Sequence, residues 1–166
     1  MEHSKTVSIR PGVSILTMLK HIQYDPWYAL AEFVDNAIDS YLKNEKQLKE
    51  IEGKRFQLEV KIEINDIDKK IVIRDNAAGI HQRDYTRAFR AAEIPPDNSG
   101  LSEFGMGMKS AACWFSDYWS VRTTAIGENV EKTVSFDLNK IFYDKLEELE
   151  VTTKNQNENS HFTVIE

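Results

Sequence analysis

Residues 101–112 read LSEFGMGMKSAA, and the fold turns on this stretch. Gly105 and Gly107 flank a single residue, Lys109 and Ser110 follow at once, and Ala111, Ala112, Cys113, Trp114 and Phe115 continue in a helical pattern. The first turn of a helix has backbone N–H groups without partners and a partial positive charge, so it draws anions. Glycines there let the backbone close on a phosphate with no Cβ in the way, and a lysine adds a full charge. Two other glycine motifs fail. A P-loop needs glycine directly before the lysine, where Met108 stands. A dinucleotide fingerprint needs a third glycine where Ser110 stands. A helix opened by glycine for local reasons remains the plain alternative.

Two upstream segments supply what such a loop lacks. Residues 27–50 are patterned as one helix, entered through Asp25 and Pro26 and closed by Gly53. Leu30, Val34, Ala37, Ile38 and Tyr41 form its apolar stripe. Glu32, Asn36 and Ser40, spaced by four with Asp39 beside them, project from another side. A carboxylate that activates water and an amide oxygen that ligates Mg²⁺ need this placement. The same residues also suit an ordinary solvent face. Farther on, Asp75 ends a strand and opens DNAAGI. A carboxylate there, backed by a turn containing Gly79, can accept a hydrogen bond from an adenine amino group. Asp and Asn serve plain turns equally well.

Composition narrows the function classes. At 166 residues and 41% hydrophobic, the chain suits one domain, 1–166, with a real core. The net charge of −6 argues against nucleic-acid binding by this domain. No apolar run spans a bilayer and no signal-peptide pattern opens the chain, so a cytoplasmic setting is expected. The single cysteine, Cys113, reads as a buried small hydrophobe, and His3, His21, His81 and His161 form no metal spacing.

The remaining pattern predicts a short strand at 7–9, a helix at 13–22, and a hairpin of strands 56–64 and 71–74. A helix at 82–92 and a loop at 94–100 precede the glycine motif. After it come a hairpin of 118–126 with 130–136, a helix at 139–150 and a last strand from 162. Strands that arrive as hairpins imply an α+β, two-layer α/β sandwich: a mostly antiparallel mixed sheet with helices on one face. The chain stops just inside its last strand, so a longer parent protein is expected.

In order, ALAEFVDNAIDSY, IRDNAAGI and LSEFGMGMKSA resemble the three nucleotide-binding boxes of the GHKL ATPase superfamily. That superfamily includes the gyrase B subunit, the ninety-kilodalton heat-shock chaperone, histidine kinases and MutL, and its domain is the Bergerat fold. The flavour is most similar to MORC and bacterial MORC-like ATPases. The resemblance implies ATP and Mg²⁺ as cofactors, Glu32 as general base, Asn36 as Mg²⁺ ligand and Asp75 as adenine anchor, with Gly79 shaping the pocket. Gly105, Met106, Gly107, Met108 and Lys109 would wrap the phosphates, and Asp39, Ser40, Ile80 and Phe104 would complete the nucleotide-binding set. Residues 90–104 would form an ATP lid.

The chain departs from the family in three places. Ala77 stands where glycine is usual, so the turn needs a negative φ there. Asn159-Ser160-His161 occupies the region of a Gly-Thr that touches nucleotide in relatives. A lysine from a following domain cannot lie on this chain. The resemblance therefore implies slow ATP hydrolysis and a nucleotide-dependent homodimer involving residues 1–10. A histidine-kinase phosphotransferase, disfavoured by Glu32, and a non-catalytic nucleotide switch are the alternatives.

Overall fold

The computed structural model describes residues 15–90 and 106–166. The expected strand at 7–9, the segment 1–10, most of the expected lid, Phe104 and Gly105 lie outside them. Helix α1 spans Ile15–Leu19 and α2 spans Pro26–Glu52. Strands β1, Val60–Asn65, and β2, Lys70–Asp75, form the first hairpin. A 3-10 turn at Gln82–Asp84 leads into α3, Tyr85–Phe89, and Gly107–Phe115 forms α4. Then come β3, Tyr118–Thr124, β4, Val130–Asp137, α5, Leu138–Tyr143, β5, Val151–Asn155, and β6, Phe162–Ile165.

The six strands lie in the order β1-β2-β6-β3-β4-β5, and every pairing is antiparallel. The last strand in the chain is thus inserted near the centre, between β2 and β3. Its register sorts the face of the sheet that meets the helices into rows. Ile73, Ile165, Val121 and Val134 are aligned across four strands and belong to the main core with Leu16, Leu19, Phe33 and Ala111. Trp119 stacks on Phe136 with ring centroids 3.8 Å apart, adding specific aromatic contact to the burial. The neighbouring row is polar: Asp75, Thr163, Thr123 and Lys132 lie side by side. The opposite face is covered by charge, with the Arg74 and Arg122 guanidinium groups over the Phe162 ring.

Several boundaries differ from those expected. Helix α2 begins at Pro26 and closes on Gly53 at φ 98°, as its flanking residues imply. Its buried positions, however, are Ala29, Phe33, Ala37 and Leu48, rotated from the expected stripe. Glu32 and Asn36 are half-buried on the same helix. The first strand starts at Val60 rather than 56, because Gln57 and Glu59 bond the Asn76 side chain before the ladder begins. Helix α5 stops at Tyr143, and the unexpected β5 follows it, exposed along its whole length at the sheet edge. Cys113 is buried, and that burial lifts its thiol to about 11, which leaves it an inert core group.

Gly79 fixes the turn after β2. Its φ is +71°, and a Cβ there would run into the carbonyl of Thr124 and the backbone of Ala125. Ala77 has no such requirement, since its φ is not positive, and it is fully buried. The expected glycine-to-alanine departure is therefore accommodated. Gly79→Ala should cost about 3 kcal/mol or more, from the left-handed backbone plus the backbone overlap. A thermal unfolding midpoint unchanged from the wild type would contradict this.

Candidate nucleotide site

Helix α2 carries the first set of residues. The Asn36 side chain donates from Nδ2 to the Glu32 carbonyl at 2.5 Å, so its Oδ1 is the atom left to face a cation. Glu32 is half-buried, and its carboxyl is raised above the usual range by that burial and then by the nearby Asp35 charge. A raised carboxylate is a better proton acceptor at neutral pH. Asp39 and Ser40 follow on the same helix, half-buried, with the Ser40 carbonyl accepting from Asn44 at 2.8 Å.

The glycine motif meets this helix directly. Gly107 opens α4, and a Cβ on it would overlap the Glu32 carboxylate. The absent side chain is thus what lets the carboxylate lie against the helix start. Ser110 returns both its N–H and its hydroxyl to the Met106 carbonyl, at 2.8 and 2.9 Å, which tightens the first turn. Tyr24, which the sequence reading passed over, hydrogen-bonds Ser110 and lies within electrostatic reach of Glu32. Met106 and Met108 pack on the main core.

Lys109 is placed differently from a free phosphate ligand. It is buried, and its ammonium donates to the carbonyls of Arg87 and Ala88 at 3.0 Å each. Those carbonyls belong to the last turn of α3, where a cation is favoured. Two of the ammonium's three N–H donors thus serve carbonyls.

The third set stands at the end of β2. Asp75 keeps a little open surface while protein surrounds most of it. Its Oδ1 accepts from the Ala77 N–H at 2.9 Å, and the Thr163 N–H also donates to its carboxylate. Burial lifts it from 3.8 to about 6, against the pull of those two N–H groups and of His161. Beside it, the Thr123 hydroxyl donates to the Phe162 carbonyl and accepts from the Ile80 N–H, both at 2.9 Å, and lies 3.4 Å from the Thr163 hydroxyl. Thr163 and Thr123 escaped the sequence reading. The available signal was a threonine on the inward side of an otherwise apolar strand, Phe162–Ile165.

Each segment therefore has one task that its chemistry suits. A buried carboxylate with threonines beside it can recognise a base edge, and Asn36 can hold a hard cation. Glu32, set against Gly107, can take a proton from water. Among the described residues no group of three or more acidic, histidine or cysteine side chains could hold a metal. No described helix is long and apolar enough to cross a membrane.

Residues 24–165 match the family described as histidine kinase-, DNA gyrase B-, and HSP90-like ATPases. The chain belongs to that family and is an ATP-binding domain of the GHKL type. Against individual curated proteins it gives no significant match.

Two substitutions separate stability from site chemistry. Between 3.8 and about 6 the folded chain keeps a proton on Asp75 that the unfolded chain has released. Its contribution to stability is therefore full below that window and is lost as pH rises through it. Asp75→Asn removes the loss and should raise stability at neutral pH by about 1 kcal/mol, several degrees in the midpoint. A variant less stable than the wild type at neutral pH would refute the assignment. Gly107→Ala meets only the mobile end of Glu32, so it should cost less than about 1 kcal/mol while displacing that carboxylate. Measured beside its unfolding midpoint, its ATPase rate should fall at least about tenfold.

Proposed function

We propose that this domain hydrolyses ATP slowly with Mg²⁺, Glu32 acting as general base. The observation that carries this reading is the Glu32 carboxylate lying against Gly107, the helix start that the phosphates would meet. There it can take the proton of a water as the new oxygen–phosphorus bond forms and the bond to the leaving ADP breaks. Bound through Asn36, Mg²⁺ would neutralise phosphate charge. Asp75 accepts from the adenine amino group, and Thr163 and Thr123 fix its position. Met106, Gly107 and Met108 lend backbone to the phosphates, and Lys109 lends charge once it leaves the α3 carbonyls.

The MORC-like character of the three boxes extends the reading to nucleotide-gated closure of 90–104 and to a homodimer. Both rest on family resemblance. A kinase reading gains nothing from this geometry, because direct phosphotransfer needs no carboxylate placed for water.

Glu32→Ala should lower hydrolysis by about a hundredfold or more and spare ATP affinity, whereas Asn36→Ala should weaken Mg²⁺-dependent binding itself. Calorimetry beside a steady-state phosphate-release assay tests both. Equal hydrolysis by the wild type and Glu32→Ala would favour a non-catalytic nucleotide switch.

A further inference from the structure

His161 stands just before β6, with only 5% of its side chain exposed. Its Nδ1 lies 3.0 Å from the Asn76 carbonyl and 2.8 Å from the Ala77 carbonyl. Its Nε2 lies 3.2 Å from Glu52 at the end of α2, and its ring meets Phe56 edge-on, with centroids 5.7 Å apart. Acceptors at Nδ1 require that nitrogen to carry the proton.

The Asn76 carbonyl and the Ala77 N–H belong to one peptide group. Its N–H donates to the Asp75 carboxylate at 2.9 Å while its C=O accepts from His161. The imidazole and the carboxylate thus grip opposite ends of one planar, dipolar unit. Rotating that peptide would break both bonds and turn a carbonyl oxygen toward the carboxylate. The remaining sides are held as well. Asn76 pairs with Glu59 and Gln57 through its backbone and side chain, and Ala78 accepts from Ile126 at 2.8 Å. His161 approaches the peptide's carbonyl from the residue just before β6, the strand that carries Thr163.

We infer that His161 is a positioning residue for adenine recognition: through the Asn76–Ala77 peptide it fixes the carboxylate of Asp75 toward the base. The inference rests on Asp75 as the adenine anchor and adds to it the element that aims it. Glu52, at the end of the helix that carries Glu32 and Asn36, lies 3.2 Å from the other ring nitrogen, so the base end and the phosphate end are built on one helix.

The test is ADP affinity measured beside inosine diphosphate affinity, since inosine lacks the amino group that Asp75 would accept. His161→Leu should weaken ADP by about tenfold and leave inosine diphosphate within about twofold, so discrimination narrows. His161→Asn puts an amide N–H near the position of Nδ1 and should restore ADP to within about threefold of the wild type. Unchanged ADP affinity in His161→Leu, equal losses for both nucleotides, or an Asn variant as weak as Leu would each overturn the inference. Asp75→Ala is the control for the underlying reading. If it binds ADP like the wild type, the adenine assignment fails and His161 fails with it; if it alone loses ADP, only the His161 role falls. Should His161→Leu not fold, nitrogen-15 NMR of the wild-type ring decides. A proton on Nδ1 whose signal moves on ADP binding supports the inference, and a bare Nδ1 overturns it.

Discussion

The pairing of β6 with both β2 and β3 is the constraint on which the rest depends. A strand from the far end of the chain is hydrogen-bonded between two strands formed much earlier, and every one of its four residues is buried. Its period-two alternation sends Thr163 and Ile165 to the helix side and Phe162 and Val164 to the other. Slipping the register by one residue would exchange those faces, setting apolar side chains beside Asp75 and turning Thr163 to the face away from the helices. The apolar row of Ile73, Ile165, Val121 and Val134 therefore fixes the polar row next to it. Core packing and ligand recognition are set by the same hydrogen bonds.

The polar row carries a cost that the site uses. A buried carboxylate loses hydration, and two backbone N–H groups and a histidine offset only part of that loss, so Asp75 stays raised to about 6. A neutral amide, which keeps an acceptor for those N–H groups without the charge, would suit the folded chain better. A charged acceptor held in a poorly hydrated place suits a base amino group better, because the desolvation has already been met before the ligand arrives. Glu32 follows the same logic in milder form, lifted by burial against α4. Asp75 and Glu32, which the sequence marks as adenine anchor and general base, are both carboxylates that burial makes expensive.

Much of this was legible in the sequence where a signal is local. Asp25, Pro26 and Gly53 bracket α2 because caps and breakers act within a turn of the helix. The three boxes were readable because each task needs particular residue types at short spacing. What escaped depends on contacts between distant segments. Thr163 and Thr123 matter only once the register sets them beside Asp75, and no window around either contains that information. The expected apolar stripe of α2 was rotated toward Ala29 and Phe33, with Leu30 and Val34 only half-buried, because the packing of distant elements rather than residue size sets which face is covered. Strand β5 was hidden because it is exposed on every residue and shows no alternation. His161 registered as a scattered histidine and a departure from a family pattern, and its carbonyl partners lie 84 and 85 residues away.

Lys109 shows why residue type alone does not assign a role. A lysine after two glycines at a helix start invites a phosphate reading, yet here its ammonium satisfies the last carbonyls of α3. A buried ammonium without acceptors would be far costlier than one holding two carbonyls, which is why burial and pairing come together here. A phosphate offers charge where the carbonyls offer only dipoles, so the exchange can be favourable when nucleotide is present. The two carbonyls released would then need partners from water or from residues that follow α3. Helix α3 leads directly into residues 91–105, and its opposite end is tied to β4 through Gln82, Glu128 and the buried Lys132. Moving one lysine from carbonyl to phosphate would thus trade contacts at one end of α3 while the other end stays tied to Glu128.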